Sequence, residues 1–198
     1  MNSDVATAAS PSADLFALGR AAQAASRVAT GDRGFFARST FIATSLAMLT
    51  EATGRGLRGL LRLSLTAEET VPQQEQRLAQ LAAQVRDGLV LDGVVPTPED
   101  DSLGLATLLF VARCRLTLTG VPHVLVDVDR LGSKLGQLAL GFGADELCGT
   151  IVEKRALRLG DNAGSRVLTR VEAAQLLRGA GLRAFERVAS GRLEEFAP

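Results

Sequence analysis

Short apolar segments typical of β-strands alternate with longer segments typical of α-helices along most of this chain. The short segments are rich in β-branched and aromatic residues. In the long segments, apolar residues recur at spacings of three and four. This alternation predicts βαβ units and a mainly parallel sheet covered by helices, so it excludes all-α and all-β folds.

Six strands and six helices are predicted from these patterns. The predicted strands are 34–42, 57–65, 89–95, 123–128, 147–152 and 182–188. The predicted helices are 13–30, 45–52, about 72–87, 103–119, 131–142 and about 170–180. Ser12 is a candidate N-cap for the first helix, and Thr169 with Glu172 forms a predicted capping box for the last. Six strands are fewer than the eight of a complete βα barrel. The pattern therefore leaves two architectures open, an open doubly wound sheet and an incomplete barrel.

Length and composition narrow the class of protein. The 198 residues suit one domain, predicted over 13–198, after a leader of small and polar residues at 1–12 that we expect to be disordered. Lys and Arg total 22, as do Asp and Glu, so no bulk charge favours nucleic acid and none is predicted as a partner. The sequence contains no apolar run long enough for a membrane span and no signal-peptide pattern in its first residues.

The cysteines and the histidine limit the metal chemistry that is expected. Cys114 and Cys148 lie far apart, which predicts reduced core residues of a cytoplasmic protein. With a single histidine, His123, they lack the spacing of a zinc site. An iron–sulfur cluster needs three or four thiolates, and this chain has two cysteines.

Polar residues near the predicted strand ends are the best candidates for a ligand-binding site. Parallel α/β folds bind ligands at strand ends, where carboxylates can hold hydroxyl or amine groups. Helix capping and loop solvation are the alternative roles for the acidic residues, and a structural role is the alternative for the histidine. The candidates are His123, Asp127, Asp145, Glu146, Thr150 and Glu153.

Residues 121–153, VPHVLVDVDRLGSKLGQLALGFGADELCGTIVE, resemble the C-terminal part of radical S-adenosylmethionine enzymes of the futalosine route to menaquinone. The resembling families are aminofutalosine synthase and dehypoxanthine futalosine cyclase. Their motif has a proline–histidine pair, a helix LG-x-K-L-x-Q-x-A-L, and FGA-D-D/E-L-x-GT with following glutamates. Weaker similarity extends over 14–27, 35–44, 69–81, 162–164 and 168–170. The matching motif residues are Pro122, His123, Leu131, Gly132, Lys134, Leu135, Gln137, Ala139, Leu140, Phe142, Gly143, Ala144, Asp145, Glu146, Leu147, Gly149, Thr150 and Glu153.

The chain departs from this family after its first predicted strand. The family has a CxxxCxxC loop there, whose thiolates hold the cluster that cleaves S-adenosylmethionine. Residues 45–56 contain no cysteine, and several family strands and helices are missing before 57–65. A second family glutamate is Lys154 here. The resemblance therefore implies a partial TIM-barrel-like domain of mainly parallel strands that has lost the iron–sulfur cluster and S-adenosylmethionine.

Two functions follow from the resemblance and the candidate residues. The first is a non-catalytic pseudoenzyme that acts as a binding or regulatory partner in futalosine-type menaquinone biosynthesis. A partial barrel exposes sheet edges and apolar surface, so we expect a homo-oligomer or a complex with a full-length radical S-adenosylmethionine homologue. The second is an iron-independent enzyme or nucleoside-binding protein that uses the acidic residues as a pocket.

Overall fold

The computed structural model describes residues 11–38, 40–100, 103–153, 167–188 and 191–197. The helices in these residues are α1 (Pro11–Thr30), α2 (Leu46–Gly54), α3 (Val71–Arg86), α4 (Gly104–Thr117), α5 (Val128–Leu140) and α6 (Arg170–Gly179). The strands are β1 (Arg33–Ala37), β2 (Leu60–Leu65), β3 (Gly93–Pro98), β4 (His123–Asp127), β5 (Glu146–Cys148), β6 (Ile151–Val152), β7 (Leu168–Thr169), β8 (Arg183–Arg187) and β9 (Leu193–Glu195). The predicted α/β class with mainly parallel strands is confirmed.

Seven strands form one sheet in the order β2-β3-β4-β5-β1-β8-β9. All neighbours are parallel except β8 and β9, which are antiparallel. Strands β2 to β5 follow chain order through the helices α3, α4 and α5, as successive βαβ units do. Strand β1 instead lies between β5 and β8, and a separate two-stranded sheet pairs β6 with β7.

The main sheet is strongly curved. Six residues beyond Ala37 of β1, Ala43 pairs in parallel with Leu61 at the free edge of β2. In a flat sheet, five strand spacings, about 24 Å, would separate these two positions, which is more than six residues can span. On the inside of this curve, the guanidinium of Arg58, two residues before β2, lies 2.6 Å from the carboxylate of Glu146 in β5. The sheet is therefore open but barrel-like, as the predicted partial barrel requires.

Successive side chains along each strand point to opposite faces of the sheet and so divide the core into two layers. One layer holds side chains such as Leu61, Val94 and Val126, packed against the helices. The other is a smaller cluster on the opposite face, called here the inner face, with Ile42 packed beside it. Gly93 leaves room there, because a Cβ at its position would lie 2.5 Å from Cδ1 of Leu125. The buried members of the inner cluster are Leu60, Val95, Leu125 and Cys148.

Helix ends follow the local chemistry of the sequence. The predicted capping box is present, since the Thr169 hydroxyl accepts from the backbone N–H of Glu172 while the Glu172 carboxylate accepts from that of Thr169. Ser45 caps α2 by accepting from the backbone N–H of Met48 at 3.3 Å. The Ser12 cap is wrong, because α1 already includes Pro11 and so overlaps the end of the predicted leader. The rest of that leader, residues 1–10, lies outside the described residues.

Four predicted strands differ from the structure by three or more residues or are divided. The strand predicted at 57–65 begins only at Leu60, because residues 57–59 belong to the turn between α2 and β2. The strand predicted at 34–42 ends at Ala37, because the chain then turns toward β2. The strand predicted at 89–95 begins only at Gly93 and continues through Pro98, since its partner β2 pairs along this whole length. The strand predicted at 147–152 is divided into β5 and β6 by Gly149, whose φ of +121° breaks the extended backbone. Lys154 and the similar segment 162–164 lie outside the described residues.

Among the helices that the structure describes, none is both long and apolar enough to cross a membrane.

Candidate functional site

Asp145 is the centre of a fully buried polar cluster at the start of β5. Its carboxylate accepts hydrogen bonds from the guanidinium of Arg115 and from the backbone N–H of Val124, the latter at 2.8 Å. Arg115 projects from α4, is only 4 % exposed, and also donates to the carbonyl of Gly143 at 2.8 Å. Buried ions require such partners, because water no longer solvates them.

Glu146 occupies the adjacent position and points to the inner face, on the same side as Cys148. Both nitrogen ends of the Arg58 guanidinium donate to its carboxylate, at 2.6 and 3.0 Å. Arg187 of β8 donates to the same carboxylate at 3.2 Å. One fully buried carboxylate therefore joins the beginning of β2 to β8 across the curved sheet.

Ion pairing determines the titration of Glu146. Burial alone would raise the pKa of this carboxyl, but the hydrogen bonds and charge of Arg58 oppose burial. The positive charge of Arg187 acts in the same direction, and the net effect lowers the pKa of Glu146 below its ordinary value. Glu146 is therefore held as a carboxylate at neutral pH.

His123 connects the two carboxylates. Its Nδ1 lies 2.6 Å from Asp145, and its Nε2 lies 3.4 Å from a guanidinium nitrogen of Arg187. Because a guanidinium only donates, this arrangement suits a neutral imidazole with the proton on Nδ1. The ring also packs edge-on against Phe35, with centroids 5.0 Å apart. We call these residues the buried charge network: Arg58, Arg115, His123, Asp145, Glu146 and Arg187.

Asp127 and Thr150 belong to a second group at the carboxyl ends of β4 and β5. Asp127 accepts from Arg62 at 3.4 Å and from the backbone N–H of Asp129 at 3.1 Å. Asp129 in turn accepts from the hydroxyl and the backbone N–H of Thr150. Burial and the neighbouring Asp129 charge raise the pKa of Asp127, with Arg62 opposing them. This group lies where parallel sheets ordinarily bind ligands.

Glu153 lies in a third group, close to β6 and α6. Its carboxylate accepts from Arg170 at 2.9 Å and from Arg38 at 3.4 Å. The same two arginines pair with Glu186, whose side chain is buried. The six predicted residues are therefore all in polar contacts, but they are distributed over three groups rather than lining one acidic pocket.

The arginines that neutralise these carboxylates were not among the predicted site residues. The alternating pattern of 57–65 predicts that Arg58 and Arg62 point away from Leu61, Leu63 and Leu65, and these leucines do pack against the helices. Arg115 could also have been recognised, because it is an arginine inside a largely apolar helix. No sequence pattern indicates the role of Arg187, since its pairing depends on the approach of β8 to β1.

The two cysteines do not fit the thiolate set of an iron–sulfur cluster. Both are free and buried, as predicted. Cys114 belongs to the core layer that packs against the helices, whereas Cys148 belongs to the inner face. Burial raises the pKa of both thiols, which disfavours the thiolate. Within the part of the chain that the structure describes, no group of three or more His, Cys, Asp or Glu side chains is arranged to hold a metal ion.

The lowered pKa of Glu146 predicts a loss of stability in acid. A carboxyl whose pKa is lowered by folding stabilises the protein at pH values above its pKa in the unfolded chain, 4.5. This contribution is lost as the pH falls through the pKa that the carboxyl has in the folded protein. We expect Glu146→Gln to lower the free energy of unfolding at pH 7 by about 2 kcal/mol. We also expect a flatter pH dependence below about pH 4.5. Urea unfolding followed by circular dichroism at a series of pH values measures both effects.

The matched control for this experiment is Glu51→Gln. Glu51 pairs with Arg55 on the surface of α2, where ion pairs contribute little to stability. If the free energy of unfolding fell as steeply with decreasing pH in Glu146→Gln as in the wild type, Glu146 would not be the group responsible for the acid sensitivity.

The fold and the buried charge network define an α/β protein with a curved, mainly parallel sheet stabilised by internal arginine–carboxylate pairs. No protein-family model matches the chain. Aminodeoxyfutalosine synthase of Streptomyces coelicolor is 39% identical to it over 85 residues, which are 42% of this chain and 22% of that enzyme. The match thus spans about a fifth of the relative's length. It supports the link to radical S-adenosylmethionine enzymes of the futalosine route that the motif in 121–153 predicts.

Proposed function

We propose that this chain is a non-catalytic, radical S-adenosylmethionine-like protein that acts as a binding or regulatory partner in futalosine-type menaquinone biosynthesis. It works in the cytoplasm without an iron–sulfur cluster or S-adenosylmethionine. Its partner is a full-length homologue, such as aminodeoxyfutalosine synthase, or a second copy of the chain.

The buried charge network is the observation that carries this proposal. Asp145 and Glu146 belong to the motif that resembles the enzymes, and a general acid or base among them would have to reach a substrate. In this chain both carboxylates are fully buried and paired with arginines. These two residues of the motif therefore contribute to folding, which supports a role without chemistry at their carboxylates.

The segment after β1 supports the loss of the cluster. The family's three thiolates would follow the first strand, whereas residues 40–45 of this chain lead to the Ala43 bridge and to the Ser45 cap of α2. The two thiols of the chain lie in different core layers. Neither fits the three-thiolate set of the family.

The alternative function, an iron-independent enzyme or nucleoside-binding protein, requires the acidic residues to share a pocket. Asp127, Asp145 and Glu153 lie in three separate groups, each with its own arginine. This distribution favours the binding partner over the alternative.

Exposed apolar side chains around α2 support association. Phe41, Met48 and Leu57 line one small surface cleft and are each more than a third exposed. They surround the segment where the resemblance implies that family strands are missing. In a longer barrel these side chains would pack against further strands, whereas in this chain they remain available to a partner.

We expect the chain to form a complex with aminodeoxyfutalosine synthase or with itself. Light scattering after size exclusion measures this as a mass above the 20.8 kDa of one chain. Met48→Glu places a charge in the apolar surface and is expected to weaken the complex at least about tenfold. Val28→Glu, at an 89 % exposed apolar residue of α1, is the matched control.

Two results would overturn the proposal. The first is a monomer both alone and in the presence of the synthase at micromolar concentration. The second is an absorption band near ~400 nm after anaerobic iron–sulfide reconstitution, together with cleavage of S-adenosylmethionine.

A further inference from the structure

A cleft of about 480 Å³ opens between the carboxyl ends of β1 and β8 and the turn before β2. This volume is within the range of small-molecule sites in proteins. Three arginines line it, one from each of these segments: Arg38 after β1, Arg58 before β2 and Arg187 at the end of β8. Apolar side chains of Phe41, Leu57 and Val188 line other parts of its wall. The cleft is therefore cationic in one part and apolar in another.

The charges behind this wall do not balance. Arg58 and Arg187 share the single carboxylate of Glu146. Asp145, the other acid of the network, is already paired with the buried Arg115. Three guanidinium groups therefore face two carboxylates, which leaves one positive charge in excess when His123 is neutral. The pair Arg38 and Arg170 is balanced by Glu153 and Glu186, so it does not cancel this excess.

The arginines retain donors for a ligand. Arg58 directs two of its five N–H groups at Glu146, and among the described residues it has no other hydrogen-bond acceptor. Its side chain is 24 % exposed, so the remaining donors reach the cleft. Arg38 is 49 % exposed at the same wall. Because Glu146 itself is fully buried, a ligand meets the guanidinium groups and not the carboxylate.

We propose that this cleft binds a phosphate monoester with an apolar body. Arginines from three directions suit the three terminal oxygens of a phosphate better than the two oxygens of a planar carboxylate. The apolar wall would hold the organic group. The site requires no contact with another chain, and its arginines lie outside the apolar surface proposed for association, with which it shares Phe41 and Leu57.

Phenyl phosphate is the probe, with phenol as its uncharged counterpart and benzoate as the planar anion. We expect phenyl phosphate at millimolar concentration to raise the thermal midpoint of the wild-type protein, measured by circular dichroism. Phenol should leave it unchanged, and benzoate should bind more weakly in calorimetric titration. No stabilisation by phenyl phosphate, or benzoate binding as tight as phenyl phosphate, would overturn the assignment.

Arg58→Gln is expected to weaken phenyl phosphate binding about tenfold or more, because it removes a positive charge and charge-assisted hydrogen bonds to the phosphate. Arg38→Gln provides a second test at a more exposed position, in case Arg58→Gln disturbs folding. Arg86→Gln, at an exposed arginine of α3, is the matched control and should bind as the wild type does. Unchanged affinity for phenyl phosphate in both Arg58→Gln and Arg38→Gln would overturn the proposal. The outcome of this binding experiment is separate from that of the light-scattering experiment on association.

Discussion

We expect Asp145→Ala to lower the free energy of unfolding by about 3–5 kcal/mol, because it leaves the buried Arg115 guanidinium without its carboxylate. The backbone N–H of Val124 and the Nδ1 of His123 lose the same acceptor. The chain contains no Trp and no Tyr, so urea unfolding is best followed by far-ultraviolet circular dichroism.

A double-mutant cycle separates the ion pair from other effects of this change. Replacing both partners, Asp145→Ala with Arg115→Met, removes the unpaired buried charge, so the double variant should lose less stability than the sum of the single variants. Asp87→Ala, at an exposed aspartate after α3, should stay within about 0.5 kcal/mol of the wild type. If the losses of unfolding free energy in the two single variants simply add up in the double variant, Asp145 and Arg115 do not interact directly.

We expect Phe35→Ala to lower the free energy of unfolding by about 3–5 kcal/mol through loss of buried apolar surface and creation of a cavity. Phe35 is 2 % exposed and lies in β1 between β5 and β8. Its ring contacts His123 edge-on and lies beneath the guanidinium of Arg187, 5.4 Å from the ring centroid. The substitution therefore also removes the apolar support of the buried charge network.

Phe16→Ala is the control for this prediction, because it deletes the same atoms from a side chain of α1 that is 59 % exposed. It should change the free energy of unfolding by no more than about 0.5 kcal/mol. Equal losses in the two variants would show that the position of Phe35 in the sheet is not what stabilises the fold.

Much of the fold could be predicted from local sequence. Each predicted helix and strand overlaps an observed element, because apolar spacing and capping residues act over a few positions. The capping box of Thr169 and Glu172 is one example. The strands β7 and β9 were not predicted, since they are only two and three residues long and exist through pairing with β6 and β8.

Less of the candidate site could be predicted. The polar residues were recognisable as a group, but whether they share a pocket depends on contacts between distant segments. Arg58 and Glu146 are 88 positions apart, and no periodic pattern predicts that a curved sheet joins them. The same holds for Arg187 and His123, which are 64 positions apart.

By itself, the sequence determined the α/β class, the approximate positions of the helices and the similarity to radical S-adenosylmethionine enzymes, because these depend on residues close together in the chain. Tertiary structure alone decided the place of β1 between β5 and β8, the curvature of the sheet and the partner of each buried carboxylate. The physical reason is desolvation. A carboxylate in water needs no particular partner, whereas one enclosed by strands must be paired, and only the folded chain brings the arginines to it.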